Sequence, residues 1–390
     1  MSVVSPALRD VFDAIGRDAA RRDRDRILPF AEVDALRDAG FTRLTLPREY
    51  GGRGASRSEL FETLAELARS DSNLAQLFRS HFSFIDRTLL MPDGATKTER
   101  LRLVADGAIH GNATFDRGGP DAEKTTLSDT AAGPRLSGRK FYSTGTLFAD
   151  LVSVLAERDG QPVSVLVPTT RSGVERVDDW NGFGQRVTGS GTTVFTDVVV
   201  EPERVSGVRE APTDGPAFVQ LVLLATLVGI GRAVVDDAVA YVTARTRTYS
   251  HASAPRAADD PLVQEVIGEL SALAYRADAA LTLAASVLET SASSLSSDSG
   301  EADRDAAICA SETHVTKAQL VIVPAVLDAA SRLFEVGGAS ALDRDRGLDR
   351  HWRNARTLAS HNPARYKARA LGAHLLTGSD LVGWWTSGDA

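Results

Sequence analysis

The chain is short of several residue types, and each shortage closes off a class of protein. It has one cysteine in 390 residues, Cys309, so neither an intrachain disulfide nor a cysteine-based metal site can form. Cys309 lies in an alanine-rich helical stretch, where a cysteine acts as a small apolar residue. A reducing, cytoplasmic location fits that usage. Positive charge is in deficit: 44 Lys+Arg stand against 52 Asp+Glu, a formal net charge of −8. Nucleic-acid binding needs a basic face and is not expected. No uninterrupted apolar run approaches the ~20 residues of a membrane span. The most apolar segment, 218–230, flows into the polar helical run 231–247 and reads as a buried helix. The first residues mix acids and bases without an apolar stretch, so they do not read as a secretory signal. Walker loops, zincin helices and paired-histidine spacings are missing too, so no metal site is expected. The Gly-x-Gly at Gly229–Gly231 lacks a third glycine and sits inside a helical run, which speaks for close helix packing and against a dinucleotide fingerprint.

A hydrophobic fraction of 43% suffices for a sizeable core. Apolar residues recur at helical spacing from about Pro6 to Ala108, broken by the Pro/Gly turn at 47–53. From about Ile109 to Val205 short β-branched runs (151–156, 163–167, 192–200) alternate with Gly, Pro, Asp and Ser, the grammar of strands and turns. After a linker at 207–215, long helical pieces follow at 216–248, 260–290 and 302–334, with a Ser-rich joint at 291–299. Two shorter helices split by Asn362-Pro363 close the chain. Long helices joined by short loops make a bundle. The expected class is α+β: a helical N-domain (1–108), a middle β domain (109–210) and a C-terminal helical bundle (211–390).

Polar clusters occur where a fold alone would not need them. Gly111-Asn112-Ala113-Thr114 places an amide and a hydroxyl at a strand end. The run 137–145 reads as a turn leading to a strand, ending in the hydroxyls Ser143 and Thr144 before Gly145. The glycine-rich segment 180–192 gathers Trp180, Asn181, Gln185, Arg186, Ser190 and Gly191 before a strand. Late in the chain, His351-Trp352-Arg353-Asn354 precedes Ser360-His361-Asn362-Pro363. Hydroxyls and freed backbone N–H groups of this kind can hydrogen-bond a planar heterocycle.

In their order and spacing, GFTRLTLPREYGGRG (40–54), GRKFYSTG (138–145), GQRVTGSGTTVFTDVVVEP (184–202) and AYVTART (240–246) resemble the acyl-CoA dehydrogenase superfamily, over nearly the whole chain. The resemblance implies that fold, with a barrel-like middle domain, a flavin cofactor and a homotetramer built as a dimer of dimers. Two chemistries share the scaffold. The dehydrogenases need a carboxylate base. At one family position for it this chain has Asn362, and at the other Val219, and neither can take a proton. The run 352–372 (WRNARTLASHNPARYKARALG) instead resembles the flavin-dependent monooxygenases of this fold: dibenzothiophene monooxygenase, related sulfur-compound oxygenases and, more distantly, nitrososynthases. Those enzymes use reduced FMN from a separate NAD(P)H-dependent flavin reductase. They transfer one oxygen of O2 through a flavin C4a-(hydro)peroxide to a small substrate, at sulfur or nitrogen first and aromatic carbon as a further option. The alternative is an FAD-dependent acyl-CoA dehydrogenase with an unplaced base.

Carried over residue by residue, the resemblance puts His361 beside the reacting flavin carbon and His81 as a second active-site histidine. It places Ser143 near N5 and Asn112 near the activated oxygen. Thr144, Trp180, Arg186, Ser190, Gly191 and Arg353 join Asn112 in holding the flavin. Arg245 meets the phosphate from a neighbouring subunit, with the turn at Gly337 and Gly338 facing the cofactor. Segments 75–90 and 246–259, and a tail containing Trp384 and Trp385, are expected to line the substrate pocket.

Overall fold

Ser5 caps the first helix, accepting the Leu8 N–H, and Pro6 at the first helical position costs no hydrogen bond there. In the computed structural model, which describes residues 4–117, 124–208, 212–295 and 299–381, α1 (Pro6–Asp25) and α2 (Phe30–Asp38) lead into α3 (Arg57–Leu77). A full capping box starts α3: the Ser56 hydroxyl accepts the Glu59 N–H while the Glu59 carboxylate accepts the Ser56 N–H. α4 (Arg79–Leu89) and α5 (Ala95–Ala105) complete the leading helices.

Eight strands follow, β1 (His110–Ala113), β2 (Thr126–Thr130), β3 (Gly133–Lys140), β4 (Leu151–Arg158), β5 (Gln161–Pro168), β6 (Val174–Val177), β7 (Thr192–Val199) and β8 (Val205–Gly207). They form one mixed sheet in the order β6-β7-β3-β2-β4-β5-β8, with β1 parallel to β4. Ala113, Leu127, Leu136, Val154, Val165 and Phe195 meet in one apolar cluster, so the sheet buries its own core; among the described residues its two end strands, β6 and β8, do not pair, and the sheet stays open where a barrel-like middle domain was expected. The pattern of alternation does the sorting: Ala113 and Val154 face this core, whereas His110, Asn112 and Ser153 lie on the opposite face.

The helices α6 (Gly215–Thr243), α7 (Pro261–Ala292), α8 (Glu301–Arg332), α9 (Asp349–Ala359) and α10 (Ala364–Thr377) form the closing bundle. α6 runs on past its apolar stretch into the polar run, as expected, and ends at Thr243, five residues short of the expected 248. It continues through Arg232, whose charge is met by Glu62, Glu66 and Asp278. By length and composition α6 could cross a membrane, yet 83% of its apolar window is buried among its neighbours. Gly229 explains part of that packing. A Cβ there would lie 2.3 Å from the Ala65 carbonyl oxygen, so the glycine lets α6 and α3 approach. The leading and closing helices share a single apolar core, with Phe61, Phe78 and Phe82 in the same cluster as Leu224, Leu281 and Val326.

One register differs from the sequence reading. The strand β3 comes first and the turn with Ser143 and Thr144 follows it, because Gly145, at φ +79°, and Tyr142, at φ +55°, reverse the chain there. Trp384 and Trp385 lie outside the described residues.

Candidate functional site

The site forms where α3 breaks. At Asp71 the backbone leaves helical geometry (φ −154°, ψ 109°), and the Asp71 carboxylate accepts the Asn73 N–H at 3.0 Å, capping a new helical segment. Arg22 donates to the same carboxylate at 3.0 Å, so the kink is held by a buried ion pair. The freed side chains reach the glycine-rich loop, Asn73 accepting the Val187 N–H and Ser72 the Gln185 amide. Phe78 then separates α3 from α4.

Against this junction lies the turn after β3. A Cβ on Gly145 would sit 2.2 Å from the Leu77 carbonyl oxygen, so only glycine allows the turn to seat. Ser143 N–H donates to Gly191 O and Gly145 N–H to Thr188 O, both at 3.0 Å, tying the turn to the glycine-rich loop. Thr144, Ser190 and Thr188 hydroxyls form a chain with links of 2.8 and 2.7 Å. The Ser143 hydroxyl is buried and has no hydrogen-bond partner. A buried orphan of this kind marks a place where a ligand supplies the missing group. Asn112 enters from β1, its N–H donating to Thr146 Oγ1 at 3.0 Å. Trp180 is fixed by its indole N–H on Gly184 O, and its ring meets Tyr142 edge-on at 6.1 Å.

His361 comes in from the turn between α9 and α10. Its Nε2 lies 3.0 Å from Arg79 Nη1 at the start of α4. A guanidinium can only donate, so Nε2 accepts and the proton of the neutral ring resides on Nδ1. The adjacent charge of Arg79, then burial, push the His361 pKa down to about 3, against a smaller pull from Asn362. Although the ring is open to solvent, protein walls it on most sides, so it lines a recess. Asn362 beside it is held at two points: its side-chain amide donates to Gln220 Oε1 at 2.5 Å, and its backbone carbonyl accepts from the buried Gln319 at 2.8 Å.

Residues 7–102 match the acyl-CoA dehydrogenase N-terminal domain and residues 221–366 the acyl-CoA dehydrogenase C-terminal domain. A dibenzothiophene monooxygenase of Mycolicibacterium goodii is 32% identical over 88% of this chain and 86% of its own length. The chain belongs to the flavin-dependent monooxygenase branch of the acyl-CoA dehydrogenase family. Solved structures agree. The methanesulfinate monooxygenase MsuC of Pseudomonas fluorescens superposes with a TM-score of 0.86 at 29% identity, covering 98% of this chain and 99% of that one. TdsC of Paenibacillus sp. A11-2, in complex with FMN and indole, gives 0.85 at 27% identity, covering 96% and 97%.

For this flavin monooxygenase fold, several expected site residues turn out to serve the scaffold. His81 is fully buried, and both ring nitrogens are engaged: Nε2 with Thr42 O at 2.7 Å, Nδ1 accepting the His110 N–H at 3.2 Å. Burial holds its pKa down at about 4. It is a core histidine pinning α4 to β1, with no nitrogen left for catalysis. Arg186 donates to the carbonyls of Asp23 and Arg24 at the end of α1. Arg353 is spent on Asp23, Asp349 and Phe183 O. Both arginines found carbonyl and carboxylate acceptors at the end of α1, which sequence could not place beside them. Gly191 acts through its carbonyl on Ser143, and a Cβ there would strike Val177 O.

Arg245 sits elsewhere. It donates to Val336 O at 3.0 Å, beside the Gly337–Gly338 turn, with the rings of Tyr241 and Tyr249 near its guanidinium. No carboxylate among the described residues lies within ion-pair distance. Gln220, which holds Asn362, and Thr243, just before Arg245, are separated by about 35 Å of α6 at the rise of a helix. The loop 246–259 joins α6 to α7 at that same far end, away from the His361 recess of its own chain. The sequence reading missed Asp71 and Asn73, and it covered Arg79 only as part of the expected pocket segment 75–90 without singling it out. The one available signal was that Arg79 stands two positions before the conspicuous His81.

Proposed function

We propose that this chain is the oxygenase of a two-component system, taking reduced FMN from a separate NAD(P)H-dependent reductase and oxygenating a small substrate at sulfur or nitrogen. It is a flavin-dependent monooxygenase, and its flavin is FMN. The observation that carries the reading is the make-up of the recess. His361 meets Arg79 there with Asn362 beside it, and none of the three is a carboxylate able to take a substrate α-proton. Asn362, at the position where the resemblance puts a dehydrogenase base, is an amide whose NH2 group is committed to Gln220.

The residues present fit a flavin. The orphan Ser143 hydroxyl offers a hydrogen bond to the heterocycle edge, Trp180 covers the ring system, and the Thr144–Ser190–Thr188 chain holds the wall behind it. Bound there, the reduced flavin supplies the activated oxygen. His361 offers its Nδ1–H as a fixed neutral donor toward that chemistry, and Asn112 adds an amide on the opposite strand. The test is direct. With reduced FMN and O2 the protein is expected to oxygenate an organosulfur or amine substrate, and acyl-CoA esters are expected to leave its oxidised flavin unbleached under anaerobic conditions. Rapid anaerobic bleaching by an acyl-CoA would overturn the assignment.

The distant Arg245 supports a shared site. About 35 Å of helix is far longer than one FMN, so Arg245 can serve a cofactor at the recess only in another copy, within the proposed cytoplasmic homotetramer. Replacing Arg245 by alanine should weaken FMN binding by roughly 1.5–3 kcal/mol, the scale of a hydrogen bond to a charged group. Riboflavin, which has no phosphate, should bind the variant and the wild type alike in a fluorescence titration. Equal losses for both flavins would remove Arg245 from the phosphate.

A further inference from the structure

Arg79 differs from the arginines that tie the helices of this protein together. Arg22, Arg57, Arg232 and Arg353 each hold at least two carboxylates. Arg79 holds none, and its single hydrogen bond goes to a neutral histidine nitrogen. Four of the five N–H groups of its guanidinium therefore have no partner among the described residues. None of its nitrogens is a buried orphan, so those groups face open space in the recess. Burial has also brought its pKa down to about 10, the mark of a cation that pays for desolvation without a counter-charge.

Further along, Arg87 of α4 and Arg100 of α5, which act on His110, also reach no carboxylate within ion-pair distance among the described residues. Asp86, the nearest candidate, is taken by Arg57 at 2.7 Å. The histidines on this side, His81, His110 and His361, are all held below their ordinary pKa and add no negative charge. An enclosed cation with unused, forked donors is costly unless something anionic completes it, and a guanidinium fork matches the paired oxygens of an oxo-acid.

We propose that Arg79 receives the anionic head of the substrate, a sulfinate, sulfonate or carboxylate, in the recess beside His361. The substrate class is then a small organic anion, and a soft sulfur or nitrogen within the same molecule is presented next to the Nδ1–H of His361. This inference rests on the oxygenase reading for the identity of the ligand as substrate, but binding can be measured apart from turnover.

The experiment is anaerobic calorimetry, with and without saturating reduced FMN, using two ligands of closely similar shape. Benzenesulfinate carries the charge, and methyl phenyl sulfoxide does not. Benzenesulfinate is expected to bind at least ~10-fold more tightly, and Arg79→Met to cut its affinity roughly 10- to 100-fold while leaving the sulfoxide unchanged. Arg79→Lys, which keeps the charge and loses the fork, should retain part of the preference, and serves if the methionine variant does not fold. Equal binding of the two ligands to the wild type would overturn the proposal. So would an Arg79→Met variant that loses affinity for reduced FMN and keeps its affinity for benzenesulfinate, since the flavin's own charge would then be the partner. Failure to bind FMN at all would count against the oxygenase reading, whereas the ligand comparison without flavin still decides the fate of Arg79.

Discussion

Replacing His361 by alanine is expected to slow productive oxygenation by ~10²-fold or more, the low end for a positioned acid–base group, while reduced FMN binds almost as before. The ring is the one donor in the recess whose proton position is fixed by geometry. Arg79 occupies Nε2, so Nδ1 must carry the hydrogen. Alanine removes that donor and leaves Ser143, Thr144, Trp180 and Ser190, the groups proposed to hold the flavin, in place. Flavin oxidation should therefore continue and end in hydrogen peroxide instead of product, which the ratio of peroxide to product per flavin oxidised will show. An unchanged ratio would remove His361 from the chemistry. The pKa near 3 also fixes the sign of a pH effect. The unfolded chain binds this proton below its ordinary value near 6.5 and the folded one does not. The contribution to stability is thus complete above that value and declines as pH falls from about 6.5 toward 3. Between pH 7 and 8 the ring is neutral in both states, and no limb of the activity profile should belong to it.

The second large effect concerns Arg57. Its guanidinium joins four helices: it holds Asp86 of α4 at 2.7 and 2.9 Å, Asp214 at the start of α6 at 2.6 Å, and the Leu288 carbonyl of α7 at 3.0 Å. Arg57 and both aspartates are buried. Arg57→Met keeps an unbranched apolar stem but removes the guanidinium, together with its stacking on the Phe218 ring, and leaves two carboxylates without that cation. Breaking a buried pair in this way costs about 3–5 kcal/mol. We expect a marked fall in melting temperature and in folded yield. The triple variant Arg57→Met, Asp86→Asn, Asp214→Asn should recover much of the loss, because the stranded charges are gone. A single variant that melts like the wild type would show that the network carries little of the stability. Because α4 also carries Arg79, the single variant should lose coupling of oxygenation before it loses its fold.

The sequence by itself determined the order of architectures, since periodicity needs only neighbours along the chain. The helix spacing of 6–108, the strand grammar around 151–200 and the long helical pieces after 215 all reappear as elements. It also determined that Asn362 and Val219 cannot act as bases, because the side-chain chemistry excludes it wherever they lie. Through motifs in order, it pointed to the loop of Trp180 and Ser190 and to the turn of Ser143 and Thr144.

Tertiary structure alone decided which polar residues are free to act. Arg186 and Arg353 look like cofactor ligands in a motif, but the end of α1 lies across from them in space and takes their hydrogen bonds. His81 looks catalytic until Thr42 and His110, far away in sequence, close on both ring nitrogens. Arg79, in the same short segment, meets no carboxylate and faces His361, a residue 282 positions further on. The physical reason is that a charged or hydrogen-bonding side chain is defined by its partner. Here the partners come from other helices and strands, and the register of those elements is set by the packing of apolar faces, not by the polar residues themselves.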